Sequence, residues 1–252
     1  MIVRMEQAVQ EIQEKIKEFA DCAVIGMSGG ADSTLVAILC QQALGQKNVF
    51  PIYMPDNLDM LKSEMVYSTA NYLGIKLESY AVKDIAEFIM TRTIAFQYDI
   101  GEDKLIEGNM KARIRMIMLY ARASALSLLS DKKVRVIGTG NRDELTIGYF
   151  TKYGDGGVDF LPIGNLHKTE VYQMLDYFWD KGLITHDMID RVPSAGLYER
   201  QTDEGELGVS YRAIQKMIGW EIPMVDSIKK RVNNNAHKLE TPPIIPLREF
   251  CE

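Results

Sequence analysis

The 252-residue sequence predicts an α/β protein, a doubly wound and mostly parallel sheet with helices on both faces. Three observations predict it. Short apolar runs alternate with stretches of helical periodicity, an order that gives parallel strands joined by helical crossovers. The first run, Cys22-Ala-Val-Ile-Gly-Met27, ends in a glycine-rich turn that leads directly into a helical pattern. A later run, Lys133 to Ile137, also ends in a glycine-rich loop.

In chain order, Val9, Ile12, Ile16 and Phe19 recur at helical spacing and predict an amphipathic N-terminal helix. After the first strand, Leu35, Val36, Leu39 and Ala43 repeat on one helical face, and Gly45 offers a stop. Val49 to Met54 reads as a second strand, Leu61 to Leu73 as a helix closed by Gly74, and Lys76 to Val82 as a third strand. A long helix is predicted from about Leu105 to Leu129, with Ile106, Met110, Ile114, Ile117, Ala121 and Leu128 on one stripe. Lys133 to Ile137 is a fourth strand, Gly138 to Gly164 reads as loop, and helices resume near Lys168. The Asn233-Asn-Asn235 and Pro242-Pro243 clusters suggest a tail lying over the body. With no repeat, low-complexity tract or linker, residues 1–252 read as a single domain.

Hydrophobic residues at 46% and charged residues at 25% suit a soluble chain with a proper core. No window offers the ~20 consecutive apolar residues of a membrane helix, and the N-terminus lacks a secretory signal's apolar stretch. Cys22, Cys40 and Cys251 show no metal-ligand or redox spacing, as expected of reduced thiols in a cytoplasmic protein. A net charge of −6 argues against a general nucleic-acid surface, yet leaves room for a small anionic substrate held by local cations.

Ser28-Gly-Gly-Ala-Asp-Ser33 sits between a strand and a helix. Its glycines let backbone N–H groups converge, and the helix N-terminus behind them adds unpaired donors and a positive dipole end. These favour a multiply charged anion such as pyrophosphate. A carboxylate there is repulsive to phosphate unless a divalent cation bridges them, which makes Asp32 a magnesium candidate. The plainer reading is a tight turn with Asp32 or Ser33 as N-cap. The hexapeptide fits neither G-x-x-x-x-G-K-[ST] nor G-x-G-x-x-G. It resembles the SGGxDS loop of the ATP pyrophosphatases, enzymes of the adenine nucleotide alpha hydrolase-like fold. That resemblance implies a three-layer α/β/α architecture. It also implies adenylation of a substrate oxygen with loss of pyrophosphate, followed by attack of a nucleophile.

The second loop, Gly138-Thr-Gly-Asn-Arg-Asp-Glu144, continues into Gly148-Tyr-Phe-Thr-Lys-Tyr-Gly-Asp-Gly-Gly157 and Asp159. Long ordered loops in compact domains are usually functional. Together with Gln201-Thr-Asp-Glu-Gly-Glu-Leu-Gly-Val-Ser-Tyr211, these segments resemble the signatures of the NAD synthetase family, in order and spacing, from the first turn to His237-Lys238. The resemblance implies that Gly26, Met27, Ser28, Gly29, Gly30, Ala31, Asp32 and Ser33 cradle ATP, with Thr139, Lys168 and Ser194 as further ATP contacts. It implies Asp32 and Glu144 as magnesium ligands, and Arg113, Lys152, Asp159, His237 and Lys238 as contacts to deamido-NAD⁺. Arg113 is expected to border the apolar stripe of the long helix, presenting its fork while its stem packs. His167 and His186 read as structural.

The chemistry so implied is an ATP-dependent amidation. Adenylation turns a carboxylate into an acyl group with a leaving group; ammonia then expels AMP. Asp155 is the candidate to bind the incoming nitrogen or accept its proton. The stretch before Cys22 is too short for a glutaminase domain, so free ammonia, or ammonia from a separate partner, is expected. The family resemblance further implies a homodimer, and the long helix has apolar residues on more than one face. Two other classes compete: another pyrophosphatase-loop enzyme, such as a tRNA-thiolating or GMP-forming one, and a non-catalytic nucleotide-binding module. The first would want a basic surface; the second has no need of Asp32, Glu144 and Lys168 together.

Overall fold

The computed structural model describes residues 2, 4–56, 60–93, 104–189 and 202–243. After helix α1 (Met5–Phe19) come strand β1 (Cys22–Gly26), helix α2 (Ala31–Leu44), β2 (Val49–Tyr53), α3 (Met60–Tyr72) and β3 (Glu78–Ser79). Then follow α4 (Lys83–Thr93), α5 (Lys104–Leu128), β4 (Val134–Ile137), α6 (Arg142–Ile147) and α7 (Lys168–Asp180). Three short helices close the described chain: α8 (Asp203–Leu207), α9 (Tyr211–Ile218) and α10 (Asp226–Asn235).

The four strands form one sheet in the order β3-β2-β1-β4, and every pairing is parallel. Alternate strand residues feed two cores, because successive side chains point to opposite faces. Ala23, Ile25, Val49, Tyr53 and Ile137 join α1, α2 and α7 on one face. Cys22, Val24, Ile52, Val134 and Val136 join α4 and α5 on the other. This is the expected doubly wound, three-layer arrangement. Helix α2 is buried almost all round, from Ala31 and Ser33 through Cys40. Fully burying one of its leucines or isoleucines contributes about 1.5–3 kcal/mol. Asp32 alone in that stretch remains partly accessible, at the helix mouth.

Several boundaries differ from expectation. The third strand contributes only Glu78 and Ser79 to the sheet, although Tyr80 N and Val82 N still bond Tyr53 O and Pro55 O beyond it. Helix α4 has no counterpart in the sequence reading. The Gly138–Gly164 stretch is not all loop: α6 is a short helix within it, capped by Asn141, whose Oδ1 accepts from Glu144 N while Glu144 Oε2 accepts from Asn141 N. That reciprocal capping was written in Asn141-Arg-Asp-Glu144. The stripe predicted for α5 is only half right. Met110 and Ile114 pack inward with Leu119 and Ala123, but Ala121, Ile117 and Leu128 are exposed, since the helix is apolar on more than one side.

Candidate active site

Strand order reverses at β1, with β2 on one side and β4 on the other. Ligands of such sheets bind in the crevice beyond the carboxyl ends at that switch point. The turn after β1 and the loop after β4 both open there, which is why the two glycine-rich segments meet in space.

At the first turn Gly29 takes φ +76°, a left-handed value that glycine adopts without steric cost. Ser28 Oγ accepts from Gly30 N at 3.2 Å and lies 3.1 Å from Ser33 Oγ, which also contacts Gly30 O. The helix begins with Gly30 as N-cap, so neither Asp32 nor Ser33 caps it; Asp32 lies in the first turn. At the second loop, Gly138 donates to Phe160 O at 2.8 Å, and a Cβ there would meet Val158 and Leu161 side chains at 2.6 and 2.7 Å. The close passage holds residues 158–161 against the end of β4.

Asn141, fully buried, ties the two loops together by donating its Nδ2 to Asp32 Oδ1 at 3.1 Å. Lys168, the first residue of α7, is buried and places its ammonium on Asp32 Oδ2, with Glu144 Oε1 3.9 Å away. Burial by itself would depress the lysine, but the charges of Asp32 and Glu144 outweigh it and raise its pKa. Burial, then the nearby Asp32 charge, pushes Glu144 up to about 8 against the pull of Lys168. Two carboxylates thus face one ammonium, with Asp203 close behind: Tyr211 donates its hydroxyl to Asp203 Oδ2 at 2.8 Å and lies 3.5 Å from Glu144 Oε1. The Tyr211 ring also lies under the Lys168 ammonium, 5.2 Å from its centre.

Does this donor set fit magnesium? No cluster of three metal-ligating side chains exists among the described residues. Magnesium, however, binds through one or two carboxylates plus phosphates and waters rather than through an all-protein cage. Burial first, and then the Asp32 charge, raises Glu144, and a cation there would offset both. Asp32 and Glu144 fit it.

Beside them is a cavity of roughly 50 Å³ lined by Thr139, Gly140, Glu144, Leu145, Phe150, Asp155, Gly156 and Leu161. Asp155 is reachable from solvent, but the protein walls around it raise its pKa, against the hydrogen bond it accepts from Thr151 N at 2.8 Å.

The predicted dinucleotide residues gather less tightly. Lys152 donates to His237 O, and Lys238 donates to Gly148 O at 2.8 Å and Phe150 O at 2.6 Å. The segment after α10 is thereby fastened over the loop that carries Asp155. An ammonium has three donors, so Lys238 keeps one beyond these two. Asp159 accepts from Tyr120 OH at 2.9 Å and from Val136 N at 2.8 Å, one bond per oxygen. His237 is exposed. Arg113 is exposed too, contrary to the expected packing of its stem. Its neighbours Lys111 and Arg115, four residues apart on one helix face, turn inward to Asp56, and a residue midway between them must point away. Ser194 lies outside the described residues. Asn141, Asp143, Asp203 and Tyr211 are the functional candidates that the sequence reading missed. For Asn141 the capping signature was available; the other three lie in the segments that carry the family resemblance, but no local pattern assigns them a role.

Residues 4–242 match the family model for NAD synthase. The chain belongs to the NAD synthase family. It is 36% identical over 249 residues to the NH₃-dependent NAD⁺ synthetase of Methanosarcina acetivorans, covering 92% of each chain. It is 42% identical over 246 residues to that of Methanococcoides burtonii, covering 90% of this chain and 88% of the other. Among solved structures, the NMN synthetase of Francisella tularensis superimposes with a TM-score of 0.83 at 28% identity, covering 96% and 98% of the two chains. The NH₃-dependent NAD synthetase of Campylobacter jejuni gives 0.71 at 30% identity, covering 96% of each. A parallel sheet with helices on both faces is therefore the family's fold as well as this chain's. No helix among the described residues is long and apolar enough to cross a membrane.

Proposed function

We propose that this member of the NAD synthase family is an ammonia-dependent NAD⁺ synthetase of the cytoplasm. It amidates deamido-NAD⁺ at the expense of ATP, giving NAD⁺, AMP and pyrophosphate through a nicotinyl-adenylate. The convergence of Asp32, Glu144 and Lys168 at the switch point carries the reading, supported by the names of relatives that are 36% and 42% identical. The buried, unpaired thiols of Cys22 and Cys40 agree with a reducing compartment.

Residues 26–33, Thr139, Lys168 and Ser194 take ATP in this reading, and Asp32 and Glu144 hold Mg²⁺. Bound there, the cation neutralises phosphate charge. The N–H groups at the start of α2 and the Lys168 ammonium are fixed before the reaction and stabilise charge building on the leaving pyrophosphate. The substrate carboxylate attacks the α-phosphorus and the bond to pyrophosphate breaks. Ammonia then adds to the acyl carbon, the bond to AMP breaks, and the nitrogen gives up one proton. Asp155 is assigned to receive it, next to a cavity large enough for a molecule of ammonia's size. Arg113, Lys152, Asp159, His237 and Lys238 are assigned to the dinucleotide. An exposed Arg113 suits a site completed by a second copy of the chain. Leu105, Ile117 and Leu128, exposed on α5, suit the same homodimer.

A mononucleotide acceptor is the second reading, since an NMN synthetase shares this fold closely. The test is direct: supply ATP, Mg²⁺ and ammonium with either deamido-NAD⁺ or nicotinate mononucleotide, and measure AMP and product. AMP and NAD⁺ with the dinucleotide acid are expected. AMP formed only with the mononucleotide would move the assignment to that substrate, and no AMP with either would defeat it.

A further inference from the structure

We infer that Asp143 is a positioning residue for this reaction, a buried clamp that aims the Lys168 ammonium at Asp32 and Glu144. The inference rests on the reading that Lys168 serves the reaction. Asp143 has no exposed surface. It stands in the first turn of α6 beside Glu144, yet both of its oxygens cross to the start of α7. Oδ1 pairs with His167 Nδ1 at 2.6 Å, and Oδ2 accepts from Lys168 N at 2.8 Å. A carboxylate at a helix N-terminus is favoured by the unpaired N–H groups and the dipole there. His167 N in turn donates to Glu170 Oε2 at 2.9 Å, closing the same helix end.

Lys168 is consequently held at both ends, its backbone N by Asp143 and its Nζ by Asp32. One turn of α6 therefore sets three distances at once. Asn141 fixes Asp32, Glu144 faces the ammonium, and Asp143 fixes the backbone from which that ammonium hangs. A lysine stem is flexible, so without the clamp the helix end and the ammonium can drift. A misplacement of ~1 Å can cost roughly 100-fold in rate. Asp143 touches no reacting atom in this scheme; it acts through Lys168.

The test is a cycle of variants in the full-length protein, with kcat, the KM for ATP, the KM for ammonium and melting temperature measured for each. Asp143→Ala is expected to lower kcat roughly 10- to 100-fold and leave the KM for ammonium unchanged. Asp143→Asn, which keeps an acceptor for Lys168 N and can still bond His167, is expected to retain most of the rate. In a Lys168→Met background, Asp143→Ala should slow turnover no further, while still lowering the melting temperature. If Asp143→Ala does not fold, Asp143→Ser replaces it in the cycle with an intermediate loss expected. A full additional loss on top of Lys168→Met, or a stability loss with wild-type kcat, would overturn the positioning role. A near-normal kcat for Lys168→Met alone would overturn the assignment of Lys168, and this inference with it.

Discussion

Gly148 closes α6 with φ +67°, and a Cβ added there would sit 2.1 Å from the Cβ of Asn235 in α10. Gly148→Ala is therefore expected to cost twice. The left-handed backbone costs roughly 1–2 kcal/mol for a residue with a side chain. Forcing an extra carbon against a packed neighbour costs about 1–3 kcal/mol more. The sum, about 2–5 kcal/mol, corresponds to a fall in melting temperature of roughly 4–20 °C at about 2–4 °C per kcal/mol for a chain of this size. Asn235→Gly removes the clashing carbon but leaves the backbone strain, at its own cost of about 0.5–1 kcal/mol for a helical glycine. Thermal melts of the four proteins in the cycle separate the two costs. The double variant should be more stable than the sum of the singles predicts, by about 1–3 kcal/mol. Strict additivity, or a shift under about 1 °C for Gly148→Ala, would refute the argument.

Asp32→Asn should nearly abolish AMP formation and also cost about 3–5 kcal/mol of stability, because it leaves the buried Lys168 ammonium without its nearest carboxylate; near-normal turnover at saturating magnesium would sink its assigned role. Burial and the Asp32 charge hold the Glu144 carboxyl above the range of an unfolded glutamate, so the folded protein binds more protons than the unfolded chain between the two values. Its stability at this site accordingly falls as pH rises through that window. Mg-ATP binding near neutral pH should expel the proton, visible as a buffer-dependent heat that Glu144→Gln removes. Ser210 caps α9 by accepting from Ala213 N at 3.2 Å, and Ser210→Ala should cost about 1 kcal/mol in denaturant unfolding with kcat unchanged.

The sheet was legible because β1 and β2 are unbroken apolar runs, β4 is apolar apart from Arg135, and their neighbours are helical by period. What escaped was context-dependent. Glu78 and Ser79 make a strand only because Ile52 and Tyr53, the end of β2, pass beside them. Burial within α5 is decided by which side β1 and β4 present, which no periodicity in a multiply apolar helix reveals. At the site, the residues proposed to meet a phosphate were readable from local chemistry, as with the glycine turn and Asp32. Residues that hold those residues were not. Asp143 reaches His167 and Tyr211 reaches Asp203 across contacts that sequence spacing does not encode, and the resemblance to a family implied ligand contacts without their supports. Arg113 shows the converse: its helix was right, but its face could be settled only once Lys111 and Arg115 had turned to Asp56.

The fastening of Gly148 and Phe150 by Lys238 also sets an order of events during synthesis. The four described strands are made by Ile137, and the helix α7 that covers one face of the sheet is made by Asp180. The carbonyls that await Lys238 stay unanswered until nearly the last described residues emerge. A chain stopped after α10 but before Lys238 would have the sheet and both of its helical layers, yet Gly148 O and Phe150 O would lack the ammonium that fastens them.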